Sequence, residues 1–232
     1  MANSWETERT ETENVILKRR SVRYFQKKQV PAYLIKRIIE VGRFAPSAGN
    51  CQPWKFIVLR DPEIIAGITQ TVIKKCQALS KLLDYRYRKS FLQKNIVNLL
   101  IRFMPNDLHP VPFGAATLIA QGKLKLFHDA PTVILIFKDV RGIGDPSLDC
   151  GIAGQNMVIA AHSMGLGTCW VGFAKLAFTG KSEWKKKLNI GYPYEFSSSL
   201  VIGYPVGRPD KMVPRVTTAV DWYEDGAKKT FY

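Results

Sequence analysis

The stretch Leu148–Phe173, LDCGIAGQNMVIAAHSMGLGTCWVGF, constrains this chain more than any other. From Asp149 to Met164 the spacing predicts a helix with almost no wet side. Ile152, Ala153, Met157, Val158, Ile159, Ala160, Ala161 and Met164 leave only Gln155, Asn156, His162 and Ser163 as polar interruptions. Such a helix has to be buried, and it is too short to cross a bilayer, which takes ~20 apolar residues. Gly165 and Gly167 predict a stop, because glycine reaches the left-handed conformation that ends helices. Thr168–Phe173 then reads as a short buried strand. A buried helix that passes through a glycine turn into a buried strand makes a core, and the strand's backbone end offers a place for a flat ligand.

With 232 residues and 46% hydrophobic composition the chain can bury a sizeable core, which excludes global disorder. The formal charge of +15 invites a nucleic-acid or anionic-membrane reading. No RRM, zinc-finger or helix-turn-helix signature accompanies it, so basic surfaces around an anionic cofactor are the better account and no nucleic-acid partner is expected. Cys51, Cys76, Cys150 and Cys169 form no CxxC pair, and His109, His128 and His162 are equally scattered. That pattern argues against a metal site and against a disulfide framework. The first residues, MANSWETERTETEN, lack the apolar core of a signal peptide, and with no transmembrane segment in view a cytoplasmic location is expected.

Along the chain, residues 1–12 read as an arm and Asn14 as the cap of a short helix. Arg19–Phe25, RRSVRYF, places three arginines and a serine within five residues. Two accounts fit equally: a basic helix end facing the helix dipole, or an anion clamp of Arg forks and a Ser hydroxyl on a phosphate. A helix follows Pro31, APSAGNCQPW (Ala45–Trp54) is an ordered loop, and KFIVLR (Lys55–Arg60) is a strand ended by Asp61–Pro62. Lys74–Arg102 is a basic amphipathic segment, and Met104–Phe113, with prolines 105, 110 and 112, reads as a loop. Gly114–Phe127 is compatible with a helix, and Thr132–Lys138 is a buried strand of the parallel-sheet type. Lys181–Leu188 is a basic helix and Ser199–Tyr204 the last core strand. The tail Arg208–Tyr232 shows little periodicity and ends in Trp222, Tyr223, Phe231 and Tyr232, aromatics that need cover, as from a second subunit.

Several of these stretches, in this order, resemble the nitroreductase family of FMN-dependent oxidoreductases: RRSVRYF, then APSAGNCQPWKFIVL, then LDCGIAGQNMVIAAHSMGLGTCWVG, then IGYP and the pair Pro214–Arg215. The resemblance implies an α+β fold with a mixed central sheet flanked by helices, one domain over 1–232, and a homodimer with FMN at the interface. It implies that Arg19, Arg20, Ser21 and Arg23 meet the phosphate, ribityl chain and pyrimidine edge. Pro46, Ser47, Asn50 and Gln52 match the loop laid against the cofactor by the other subunit. Trp170, Val171 and Gly172 match the segment passing the flavin's N5 edge, where a backbone N–H meets N5. Arg215 matches a late phosphate-site residue, with Val213 standing where a lysine is common. The residue types suit this. A phosphate carries about −1.5 to −2 charges at neutral pH, and a cation at the pyrimidine edge tunes a flavin for two-electron transfer.

No side-chain acid, base, nucleophile or metal is then required, since the cofactor supplies the hard chemistry. The implied activity is NAD(P)H-driven, ping-pong reduction of nitroaromatics, quinones or similar electron-poor small molecules. Competing readings are an FMN-binding or storage protein, a flavoprotein reduced by a separate protein donor, and a binder of anionic surfaces. The basic segment, at about 74–113, stands where substrate selection would lie and is expected to cover the flavin. Cys169 is expected to be a buried structural thiol, His162 a hydrogen-bonded core residue, and Asp149 either the cap of the central helix or a group facing the active site.

Overall fold

The run around Ile134 forms the middle of a sheet that is covered by helices on both faces. The structure, a computed structural model, describes residues 9–83, 110–207, 215–216 and 218–231. In chain order it comprises α1 (Glu11–Lys18), α2 (Ala32–Arg43), β1 (Trp54–Leu59), α3 (Pro62–Leu83) and α4 (Pro110–Ala120). These are followed by β2 (Thr132–Asp139), α5 (Pro146–Ser163), β3 (Gly167–Trp170), α6 (Lys175–Phe178) and α7 (Glu183–Lys187). The chain closes with β4 (Tyr194–Gly203), β5 (Val220–Glu224) and β6 (Ala227–Phe231). The main sheet has the order β1-β2-β4-β3, and β5-β6 form a separate hairpin.

β2 is buried on both faces because successive side chains point to opposite sides of the sheet. Val133, Leu135 and Phe137 meet Ile68, Val72 and Cys76 of α3, with Ile119 of α4 and Phe178 of α6. Ile134 and Ile136 meet Ile35 and Ile38 of α2 and Met157, Val158 and Ala161 of α5. Two-sided burial, not parallel pairing, accounts for the unbroken apolar run. Both neighbours of β2 are antiparallel to it, which corrects the parallel-sheet expectation. β3 is also antiparallel to β4, and the sheet acquires a parallel pairing in the isolated bridge Ser21↔Thr168.

α5 starts one turn earlier than expected. Asp145 is its cap, its carboxylate accepting from Ser147 N at 2.9 Å and Leu148 N at 3.2 Å, so Asp149 is not the cap. The helix ends in a Schellman arrangement. Leu166 N donates to Ala161 O at 2.9 Å and Gly165 N to His162 O at 3.0 Å, with Gly165 at φ 75°. Gly167 plays no part in the stop and is the first residue of β3. Gly154 is required for a different reason, since a Cβ there would lie 2.2 Å from the Trp170 ring. That close approach is how the helix and the end of β3 reach each other.

Four other expectations change. Thr10, not Asn14, caps α1, through a capping box with Glu13, so residues 9–12 belong to this helix and its lead-in rather than to an arm. Lys74–Leu83 is the end of α3, with Val72 and Cys76 buried and Lys75 Nζ donating to Leu176 O at 2.8 Å. Pro110 and Pro112 lie in the first turn of α4, where proline's missing N–H costs nothing, and that helix ends at Ala120. The tail forms the hairpin β5-β6 on Asp225 (φ 52°) and Gly226 (φ 73°), the Asp-Gly pair of a two-residue hairpin turn. Residues 84–109 of the basic segment and its exit lie outside the described residues.

Gly154→Ala is expected to destabilise the fold by about 1–3 kcal/mol, the usual cost of overpacking a filled core. Urea denaturation should show a lower midpoint with an unchanged slope. A midpoint equal to the parent's would mean the Trp170 ring is not held against α5.

Candidate functional site

Chain direction fixes where the arginine cluster lies. Leaving α1 at Arg19, the backbone becomes extended, Ser21 bridges to Thr168 and Val22 N donates to Thr168 O at 2.9 Å. Val22 turns inward and is 7% exposed, so by strand alternation Ser21 and Arg23 turn outward. The cluster therefore runs along the outer edge of β3, at the C-terminal end of α5. Arg20 Nη1 also donates to Leu17 O at 3.2 Å and Arg19 O at 2.9 Å, tying it to the end of α1. The helix-end reading of RRSVR accordingly applies to Arg20, which bonds the last carbonyls of α1.

The electrostatics of this edge are one-sided. Arg19 and Arg23 form no ion pair among the described residues. Burial first, then the charges of Arg19 and Arg20, hold His162 below the ordinary histidine range. Burial and Arg23 do the same to His128, partly offset by Asp129. Burial pushes the Cys169 thiol up, against the opposing influence of Arg23, a hydrogen bond with Ser21, and Arg19. At 5% exposure Cys169 is buried, as expected. Cys150, beside Asp149, is buried and pushed up to about 12. His162 is half-buried beside arginines rather than hydrogen-bonded in the core, which corrects that expectation.

The 46–52 loop is a compact unit. Ser47 Oγ accepts from Gln52 N at 2.9 Å, and Gln52 Nε2 donates to Asn50 Oδ1 at 3.1 Å. Asn50 and Gln52 both take left-handed φ, 55° and 48°. Side-chain residues held in such conformations cluster at functional sites. Asp149, buried at 6% exposure, accepts from Ala48 N at 3.4 Å, so it positions this loop. Pro46, Asn50 and Gln52 are left exposed.

At the end of β3, Val171 N donates to Ser199 O at 2.8 Å and Ser199 Oγ donates to Val171 O at 2.6 Å. Ser199 escaped the sequence reading; the signal was a serine entering an otherwise apolar strand. Both backbone groups of Val171 are thereby engaged. The Gly172 N–H donates to no acceptor among the described residues, and nothing stands within 4 Å of where a Cβ would be. A planar ligand can approach the backbone here. Thr168 and Val171 are three residues apart on an extended chain, roughly 10 Å, so Ser21 and this opening share one edge.

The loop does not share it. It is bound to Asp149 near the start of α5, whereas Arg19 and Arg20 act on His162 at the end. Thirteen helical residues separate these two points, about 20 Å at 1.5 Å each. Within one chain the expected site residues thus fall into two separate groups. Arg215 is exposed and joins neither through any bond among the described residues, and Pro214 and Val213 lie outside them.

A family model described as the nitroreductase family matches residues 16–204. An iodotyrosine deiodinase of Nematostella vectensis is 28% identical over 204 residues, 86% of this chain and 68% of that protein. A candidate NADH dehydrogenase/NAD(P)H nitroreductase of Methanothermobacter thermautotrophicus is 29% identical over 157 residues, 66% of this chain. The chain spans about half, 56%, of that archaeal relative's length. Among solved structures, a nitroreductase with bound FMN from Desulfitobacterium hafniense superposes with a TM-score of 0.65 at 24% identity, covering 91% of this chain and 99% of that one. An iodotyrosine deiodinase bound to FMN and 3-iodo-L-tyrosine gives 0.61 at 21% identity, with 92% and 99% covered.

The lowered histidines make stability depend on pH. Near the unperturbed value of 6.5 the unfolded chain takes up protons that folded His162 and His128 resist. Stability is therefore greatest above that pH and falls as the pH drops through it. Thermal melts from pH 8 to 5.5 should show the decline, and His162→Gln should flatten it. A melting temperature independent of pH over this range would contradict the assignment.

Proposed function

The chain belongs to the nitroreductase family, and from that premise we propose that it is an FMN-dependent oxidoreductase whose two sites are each completed by a second copy. The observation that carries this is the separation of the two half-sites along α5. The exposed and half-buried side of that helix bears Leu148 (60% exposed), Ile152, Gln155, Asn156 and Ile159. The midpoint between Asp149 and His162 falls between Gln155 and Asn156. A two-fold axis through that point lays two α5 helices antiparallel, bringing the 46–52 loop of one copy to the arginines of the other. Ile16, Leu17, Val41 and Phe44 on the flanking α1 and α2 are exposed apolar residues that such a pairing covers. Trp222 and Tyr223 on the β5-β6 hairpin are exposed too, and a two-stranded hairpin is marginal in water by itself.

The residues present fit the cofactor. Arg19, Arg23 and Ser21 lie in an electropositive edge suited to a phosphate. Arg20, committed in part to α1, adds charge and steadies the cluster. The free Gly172 N–H, rather than that of Val171, is the backbone donor for a flat ring system passing Trp170. The partner's Pro46, Ser47, Asn50 and Gln52 would close the opposite side, and Arg215 adds charge at the phosphate. When bound, FMN supplies the two-electron chemistry. This chain's residues bind and orient it, and exclude water.

NADH or NADPH is the proposed donor of two electrons and a proton. The acceptor is an electron-poor small molecule: a quinone becomes a quinol, or a nitro group becomes a nitroso group with loss of one oxygen as water. The deiodinase relatives favour an iodinated phenol as a second acceptor class, in which the carbon–iodine bond is replaced by carbon–hydrogen and iodide leaves. Lys74–Leu83 belongs to α3, and the rest of the proposed cover, residues 84–109, lies outside the described residues.

The purified protein is expected to be yellow and to release FMN on denaturation, and Arg23→Ala should weaken FMN binding by about 10- to 100-fold, the worth of one charge-assisted bond. Absence of flavin, with failure to take up added FMN, would overturn the reading. NAD(P)H oxidation measured with menadione, a nitroaromatic and 3-iodotyrosine then ranks the acceptors.

Ile152→Glu should convert a dimer to a monomer in light scattering and release the flavin in the same step. A monomer that keeps stoichiometric FMN would refute the composite site.

A further inference from the structure

A second concavity lies at the opposite side of the sheet from α5. It is a groove of about 510 Å³ between the first half of α3 and the 122–131 turn, and it contains none of the residues assigned to FMN. Its size is that of small-molecule sites. Ile65, Ile73, Leu124 and Pro131 line it and are only half-buried. Lys27, Arg60 and Lys125 stand on its walls against a single carboxylate, Asp129, which pairs with Lys125.

Arg60 is held in place before any ligand arrives. Its Nη2 donates to Val30 O at 2.8 Å, and its Nε and Nη2 donate to Gln29 Oε1 at 3.4 and 3.3 Å. Gln29 is anchored in turn by Nε2 to Pro131 O at 3.0 Å. Nη1 has no acceptor among the described residues, and Arg60 pairs with no carboxylate among them. A guanidinium fixed by neutral acceptors keeps its charge available for an incoming anion. Asp129, on the groove wall, and His128 before it are both left-handed at φ 55°, a conformation found preferentially at functional positions.

We propose that this groove binds a small amphipathic carboxylate, a medium-chain acyl or aryl acid, with its apolar body on Ile65, Ile73 and Leu124 and its carboxylate at Arg60 and Lys27. An apolar floor favours burial of the tail, and the fixed cation favours an anionic head over a neutral one. A hydrophilic anion such as inorganic phosphate would leave the floor wet. A neutral chain would leave the cations uncompensated.

Calorimetric titration of the purified protein with sodium decanoate, below the concentration at which it forms micelles, tests this. Decanoate should bind, and decanol should bind at least about tenfold more weakly, the ratio expected of one charge-assisted bond. Arg60→Gln should weaken decanoate by a similar factor. Since Arg60 also supports Val30, the exposed groove residue Ala66 supplies a second variant: Ala66→Trp fills the groove from α3 and should abolish binding while the circular dichroism spectrum stays unchanged. Absence of decanoate binding, equal affinity for decanol, or undiminished binding in Ala66→Trp would each overturn the proposal. Flavin absorbance is read separately on the same samples, so failure of the flavin assignment and failure of this one are told apart.

Discussion

The packing of α5 against one face of the sheet is the contact on which the rest of this molecule depends. Met157, Val158 and Ala161 sit on Ile134, Ile136, Leu200 and Ile202, and α2 seals them from the side through Ile35 and Ile38. Each such side chain is worth roughly 1.5–3 kcal/mol on burial, so the helix cannot shift without forfeiting several of them. Its length then becomes a ruler. What is attached at its first turn, the Asp149-bound loop, and what borders its last, the arginine cluster, are kept about 20 Å apart. This separation is what motivates the proposed pairing of two copies.

The same packing explains why the helix is buried only in part. Its apolar surface goes all round, but the sheet takes one side, and the side bearing Leu148, Ile152 and Ile159 remains available. The apolar surface left over is what the proposed pairing of two copies would cover. Charge acts in the complementary direction. Burial first, and the nearby arginines second, disfavour the charged forms of His162 and His128 at this edge.

The long α3 has a structural role that its basic composition conceals. Its first half walls the groove opposite α5, its middle fills the second core with Ile68, Val72 and Cys76, and Lys75 ties it to α6. Positive charge along Lys74–Lys81 is accordingly the solvated face of a fixed element.

Much of this was written in local sequence. The all-round apolar character of 149–164 declared a buried helix, Gly165 declared its end, and the unbroken run Thr132–Lys138 declared a strand covered on both faces. The motifs around Arg19, Ser47 and Trp170, taken together, declared the family. What local sequence could not reveal was set by partners distant along the chain. A run buried on two faces looks the same whether its neighbours are parallel or antiparallel, so only the register with β1 and β4 decided that. Two acidic residues four apart, Asp145 and Asp149, can each start a helix, and only the approach of Ala48 gave the second another role. The Asp225–Gly226 turn was legible, but its flanking strands lack the alternation that a buried face imposes, and their described residues are exposed. Above all, the sequence sets the site's motifs in a line without distances. The tertiary structure alone placed them at opposite ends of one rigid helix, because a helix packed along its whole length converts sequence separation into fixed distance.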